Sequence, residues 1–237
     1  MCGRLNVIDA PIMAFLSDYL VNVPSVASQL NVAPTESVWS LYQLESQWAA
    51  TPMRWWLVPH WSKGPQSKFS MFNARAETIA TRPAYREAFQ KRRCIIPVSG
   101  YFEWRRVNGQ AQPMVFEPID SELLLLAGLW DRWQGKDETI ISCTVVTTAA
   151  TQTMSGFHHR LPLMLSRGEV EGWMDARSPQ TQLNEIIAPR LRHPLKVTDV
   201  TSAMNNARDK SSQSQVAIRA PRAVSYTHLT LPTILLV

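Results

Sequence analysis

Residues 94–117, Cys94-Ile95-Ile96-Pro97-Val98-Ser99-Gly100-Tyr101-Phe102-Glu103-Trp104-Arg105-Arg106-Val107-Asn108-Gly109-Gln110-Ala111-Gln112-Pro113-Met114-Val115-Phe116-Glu117, carry the fold in miniature. Cys94 to Val98 is a short apolar run with β-branched residues, which reads as a buried strand. It leads into Tyr101-Phe102-Glu103-Trp104. Asn108-Gly109 is a strong hairpin signal because both residues tolerate the positive φ of a tight turn, and Pro113 to Glu117 is the returning strand. Downstream, Glu122 to Trp130 and Thr139 to Thr148 are long strand candidates. Upstream, Ser37 to Leu44 and Ala49 to Val58 read as two more, joined by a polar turn. Lys196 to Thr201 is a last strand.

Helices are few and short in this reading. Asp9 is expected to cap a helix running to about Leu20, with Pro11 in its first turn and Ile12, Phe15, Leu16 and Tyr19 on one face. Thr81 is expected to cap a second, with Pro83 near its start and the basic run Lys91-Arg92-Arg93 at its end. Gly168 to Asp175 and Pro179 to Ile187 read as two more, and Thr151 to Phe157 as a helical turn. Asn31 to Thr35 and Trp61 to Ser70 read as loops. Strands outnumber helices and do not alternate regularly with them, which argues for a mainly antiparallel α+β domain.

The 237 residues, 45% hydrophobic and 18% charged, suit a domain of ordinary core size. A net charge of +5 favours an anionic partner, nucleic acid first. Cys2, Cys94 and Cys143 lie far apart without a C-x-x-C pair, so no metal site and no disulfide framework is expected. Cys94 and Cys143 read as small hydrophobes in buried strands, and such thiols fit a reducing compartment. No Walker loop or G-x-G-x-x-G turn is present, and no cofactor is expected. The longest apolar stretch, Leu123 to Leu129, is too short to span a bilayer. The expectation is a cytoplasmic protein, nucleoid-associated when bound to DNA. Residues 1–223 are read as the domain. Residues 224–237 resemble the translation of a sequencing-library adaptor and are set aside, His228 included.

The chain opens Met1-Cys2-Gly3-Arg4. Removal of Met1 would leave Cys2 with a free α-amine and a thiol on one residue. Model α-amines titrate near ~7.7–8.0 and thiols near ~8.5, so both are partly deprotonated in neutral water. An amine condenses with an aldehyde to an imine, and the thiol can close on it as a thiazolidine. Three further clusters set polar groups among apolar ones: Asn73-Ala74-Arg75-Ala76-Glu77-Thr78, Gly100-Tyr101-Phe102-Glu103-Trp104, and His158-His159-Arg160-Leu161-Pro162. Each residue alone also fits a structural role, Asn73 in a turn or Glu103 on the outer face of a strand. Together they supply a nucleophile, an amide, a carboxylate, an imidazole and guanidinium groups, as an aldehyde- or acyl-directed site on an anionic substrate requires.

These segments resemble the SOS response-associated peptidase family, the abasic site processing or SRAP domain. Asn31-Val32-Ala33-Pro34, Trp55 through Pro59 with Trp61, Arg93-Cys94-Ile95-Ile96-Pro97 and Ala127-Gly128-Leu129-Trp130 extend the match in family order. Met204-Asn205-Asn206 resembles the family's closing Val-Asn segment only loosely. The resemblance implies a single domain with a mainly antiparallel β-sheet or barrel-like core and short flanking helices. It implies a DNA-damage protein that binds single-stranded DNA and traps abasic sites covalently through a Cys2 thiazolidine. By the same resemblance Asn73 holds the α-amine, Glu103 shuttles protons, and His158 assists ring opening as general acid or base. Arg4, Arg75 and Arg160 become candidate phosphate contacts, Trp61 and Trp104 candidate stacking surfaces, and Pro34 a position near the DNA. A monomer is expected. Trp56 departs from a family glycine, and His159 stands where an acidic residue is common, so spacing alone favours His158. An N-terminal cysteine peptidase and a noncatalytic single-strand binder are the competing readings.

Overall fold

Two sheets account for nearly every strand of the computed structural model, which describes residues 2–65 and 68–225. In chain order the strands are β1 (Arg4–Val7), β2 (Gln29–Val32), β3 (Ser37–Leu44), β4 (Gln47–Trp55), β5 (Asn73–Arg75), β6 (Arg93–Val98), β7 (Gly100–Val107), β8 (Gln110–Pro118), β9 (Leu124–Gln134), β10 (Thr139–Ala149), β11 (Arg160–Pro162), β12 (Met164–Leu165), β13 (Leu195–Asp199) and β14 (Arg222–Val224). The first sheet runs β14-β13-β8-β7-β1-β2. The second runs β11-β10-β4-β3-β6-β9-β12, and β10 also pairs with β9, which closes β10-β4-β3-β6-β9 into a barrel. The pairings are antiparallel except where β10 meets β4 and β5. The chain is therefore a single domain, mostly β with a few short helices, a closed barrel joined to an antiparallel sheet.

The barrel closes because its strands are apolar on the face that meets the core. Every residue of β6 is buried, as are the first eight of β9. Gly128 on β9 lies where a Cβ would come within 2.7 Å of Cys94 Sγ and 3.2 Å of the Thr144 carbonyl oxygen. Only glycine lets three strands approach so closely there. Cys94 and Cys143 are fully buried, as their apolar surroundings in sequence predict. The Asn108-Gly109 turn joins β7 to β8 with φ of 49° and 79°, the primed turn that its sequence demands.

The helices are shorter than the sequence suggests. α1 spans Asp9–Ser17, and its N-cap is Ile8 rather than Asp9. The Asp9 carboxylate instead accepts the neighbouring Ala10 N–H at 2.8 Å, while its own N–H donates to Ser28 Oγ. α2 spans only Arg86–Lys91, and the Thr81 hydroxyl donates to the Thr78 carbonyl within a turn. The basic run expected to end this helix divides. Arg93 starts β6 and its buried guanidinium donates to the carbonyls of Phe89, Gln90, Trp173 and Asp175. α3 (Val170–Met174) and α4 (Gln180–Ile187) fall where expected. No helix among the described residues is long and apolar enough to cross a membrane. Val224 pairs with Leu195, so described structure extends just past the domain boundary read from sequence, while residues 226–237 and His228 with them lie outside the described residues.

Candidate active site

The four candidate catalytic residues come from four separate segments that converge between the two sheets. Cys2 precedes β1, which lies between β7 and β2. The Gly3 N–H donates to the Phe102 carbonyl at 3.4 Å, and Arg4 pairs with Phe102, so the start of the chain is laid alongside the strand that bears Glu103. Asn73 opens β5, a three-residue strand held parallel to β10 through Val145. His158 sits in the loop between β10 and β11, fixed by the Ala149–Arg160 pairing.

Asn73 and Cys2 meet directly. The Asn73 side-chain amide donates to the Cys2 carbonyl at 2.9 Å, and both residues are buried. The Asn73 Oδ1 acceptor is also buried and has no hydrogen-bond partner among the described residues. Buried amide oxygens are rarely left this way, since an unmet acceptor costs about 1–3 kcal/mol. The Cys2 thiol is fully buried. Burial, reinforced by the nearby Glu103 charge, raises its pKa well above the usual thiol value.

Glu103 and His158 form the second contact, with His158 Nδ1 3.5 Å from Glu103 Oε1. Glu103 is 2% exposed, and burial pushes its carboxyl up to about 7. Burial also pushes the His158 imidazole down to about 4, against a smaller opposing contribution from its hydrogen bond to the Arg160 backbone. The Arg160 backbone N–H donates to His158 Nδ1 at 3.1 Å. The Arg160 carbonyl oxygen lies 3.2 Å from the same nitrogen, so Nδ1 has a backbone partner in either tautomer. His158 has the contact with Glu103, while the His159 ring lies tilted at 37° beside it, 4.2 Å away centroid to centroid.

The candidate DNA-contact residues divide into free and engaged groups. Arg75 is exposed beside Asn73 on β5, and Trp61 stands 56% exposed in the loop after β4. Arg4 lies with its guanidinium carbon 5.6 Å from the Trp104 ring centroid, and Trp104 donates its indole N–H to Asn205 at 2.7 Å. Pro34 is half-buried in the turn after β2. Arg160 is committed within the chain, donating to both Glu77 carboxylate oxygens at 2.6 and 3.0 Å and to the Thr147 carbonyl at 2.5 Å. The Arg160 bond holds the Glu77 carboxyl below the usual carboxylate range. Two partners escape a reading of the sequence. Glu77 is visible as the acid two places after Arg75, but nothing local announces that it binds Arg160. Asn205 belongs to the segment whose family likeness is loose.

Among the described residues no group of His, Cys, Asp and Glu has metal-holding geometry. What the site offers is a buried amide, a carboxyl that carries its proton to near neutrality, and a neutral imidazole, gathered around the first residues of the chain. The SRAP family profile, SOS response associated peptidase, matches residues 1–207. The abasic site processing protein YoaM of Bacillus subtilis is 28% identical over 90% of this chain and 96% of its own length. The abasic site processing protein HMCES of Xenopus tropicalis is 31% identical over 70% of this chain and 56% of its own length. Among solved structures, a Bacteroides thetaiotaomicron protein superposes with a TM-score of 0.77 at 22% identity, covering 91% of this chain and all of that one. A Bordetella bronchiseptica protein gives 0.71 at 25% identity, covering 84% of this chain and all of that one.

Proposed function

Because the chain belongs to the SOS response associated peptidase (SRAP) family, we propose that it processes abasic sites in single-stranded DNA by linking Cys2 covalently to the damaged sugar. The family relatives bear names that state abasic site processing. The observation that carries the mechanistic reading is the unmet Asn73 Oδ1 beside Cys2. An amide that already donates to the Cys2 carbonyl and still has a buried acceptor to spare is suited to receive an N–H from the Cys2 α-amine once Met1 is gone. That contact would orient the nitrogen lone pair toward an incoming carbonyl.

The chemistry then runs in balanced steps. The amine adds to the C1′ aldehyde of the ring-opened deoxyribose and gives a carbinolamine. Loss of water, with Glu103 delivering the proton to the departing hydroxyl, leaves an imine. The Cys2 thiol adds to the imine carbon and its proton passes to nitrogen, closing a thiazolidine. A carboxyl pushed up to about 7 can both give and take a proton near neutral pH. His158, neutral at that pH, can accept the sugar hydroxyl proton as the furanose opens. A thiol kept protonated by burial acts second, after the amine, which limits side reactions with other electrophiles. Arg4, Arg75 and Trp104 border these groups and are suited to phosphate and base contacts. Arg160 serves first as a brace for the His158 loop.

The test is a denaturing gel and intact-mass measurement of the full chain with an abasic oligonucleotide. The expected product is a heat-stable adduct whose mass equals protein without Met1 plus DNA minus water. Cys2→Ala is expected to give no adduct while retaining salt-sensitive binding. An adduct of undiminished yield in that variant, or one that retains Met1, overturns the proposal. Cys2-dependent cleavage of unrelated peptides without any DNA adduct would favour the peptidase reading instead.

A further inference from the structure

Asp199, at the end of β13, is 2% exposed and is approached by three guanidinium groups. Arg105 lies at 2.6 Å, Arg222 at 3.0 Å and Arg219 at 3.7 Å. One buried carboxylate cannot neutralise three arginines, so the cluster carries an excess of two positive charges. Arg105 Nε is buried and has no acceptor among the described residues. Arg219 and Arg222 fall beyond residue 207, where the family profile ends. They reach the sheet because β14 pairs with β13 through Arg222–Val197 and because the Ile218 N–H donates to the Asp199 carbonyl.

The register ties this cluster to the site. Glu103 on β7 pairs with Met114 on β8, and Met114 pairs with Asp199 on β13. Directly opposed residues share a face, so Glu103 and Asp199 point to the same side of the sheet, about 10 Å apart at two strand spacings. The next row on that face runs Tyr101, Phe116, Val197 and Arg222. Over it lies Phe157, the residue before His158, with its ring 5.9 Å from that of Phe116 and 5.0 Å from the Arg222 guanidinium carbon.

We infer that Arg105, Arg219 and Arg222 form a phosphate-binding platform for single-stranded DNA flanking the reaction centre, presented at the solvent rim of this sheet where Arg219 and Arg222 are exposed, since Tyr101, Met114, Phe116 and Val197 on the shared face are buried. The inference rests on the single-strand reading above and extends it to a segment outside the family profile. In an extended strand whose sugar lies at Glu103, the phosphates one or two nucleotides away fall within reach of the arginines around Asp199. The exposed Arg219 and Arg222 can each turn one edge of the guanidinium outward while the other stays near Asp199, because the fork has five donors.

The experiment is fluorescence anisotropy of the full chain with labelled, undamaged oligothymidylate across a potassium chloride series. The variants are Arg219→Gln, Arg222→Gln and their combination, with Arg177→Gln, an exposed arginine paired with its neighbour Asp175, for comparison. The expected result is several-fold weaker binding in the double variant. The slope of log K against log salt should flatten by roughly 0.7 for each phosphate no longer neutralised, the single-strand value. Arg177→Gln should match wild type. Should Arg222→Gln fail to fold, Arg219→Gln decides alone, since Arg219 is well exposed. Unchanged affinity and slope in a folded Arg219→Gln and Arg222→Gln pair overturn the platform while leaving the covalent reading intact. A wild-type chain without salt-dependent binding overturns both.

Discussion

His158 Nδ1 lies 3.5 Å from Glu103 Oε1, and burial pushes the two groups' proton affinities past each other, the carboxyl up to about 7 and the imidazole down to about 4. In water the histidine would hold its proton at higher pH than the glutamate. Here the order is reversed: near neutral pH the carboxyl is about half protonated while the imidazole is neutral. The proposed chemistry, which protonates a leaving hydroxyl and deprotonates a sugar hydroxyl, draws on these two states together.

The reversal predicts a pH-dependent stability difference. The unfolded Glu103 titrates near ~4.3, so its stabilising contribution is full below that pH and is lost as pH rises through about 7. Glu103→Gln removes this loss. Thermal unfolding of Glu103→Gln minus that of wild type is expected to climb between about pH 4 and 7. A flat difference would mean an ordinary carboxyl.

His158 carries the opposite sign. Its folded pKa is depressed, so its contribution is present above the unfolded value of ~6.5 and is lost as pH falls toward about 4. His158→Gln is expected to unfold at relatively higher temperature than wild type as the pH is lowered through that range. The double variant with Glu103→Gln should be nearly level, a cancellation that circular dichroism melts can read directly.

Asn73→Ala is expected to slow adduct formation about tenfold without preventing it, since one buried hydrogen bond is worth about 1–1.5 kcal/mol. The loss should appear in single-turnover rates at saturating DNA. An effect confined to DNA affinity would contradict a role for Asn73 in holding Cys2.

On the proposed reading Glu77 would compete with DNA for Arg160, because its two carboxylate oxygens accept from Nη1 and Nη2 along one edge of the guanidinium. Glu77→Gln is expected to tighten noncovalent binding of undamaged single-stranded DNA several-fold at low salt, with the advantage fading as salt rises. Weaker binding in this variant would show that Arg160 is needed for its bracing alone.

Gly128→Ala tests the barrel closure. The added Cβ would meet Cys94 Sγ at 2.7 Å and the Thr144 carbonyl at 3.2 Å, so the sulfur must rotate away in a packed core and the carbonyl can retreat only with its strand. A loss of about 1–3 kcal/mol in urea unfolding is expected. Cys94→Ala in the same background should restore part of it.

The strands with clear punctuation are legible from residues alone. Ser37–Leu44 matches its reading end to end, and the Asn108-Gly109 hairpin forms as its dihedral needs require. Short strands are not. Gln29–Val32 runs into residues that read as a loop from Asn31 onward, and Asn73–Arg75 has too few residues to show a period. It exists because β10 offers it a parallel edge, which is tertiary information. The expected helix caps fail for a related reason: Asp9 and Thr81 find partners one and three residues away and leave the helix ends to packing. At the site, the candidate residues can be named from their types and from the family resemblance. Their pairings cannot, because Cys2 with Asn73, Glu103 with His158 and Glu77 with Arg160 are each distant in sequence.

The burial of Cys2 against the Glu103 strand also sets a rule for handling this protein in the laboratory. On the proposed chemistry, a handle fused ahead of Cys2 would turn its α-amine into an amide beside a thiol that is fully buried. Such a preparation is expected to form no thiazolidine until the leader is clipped to leave cysteine first.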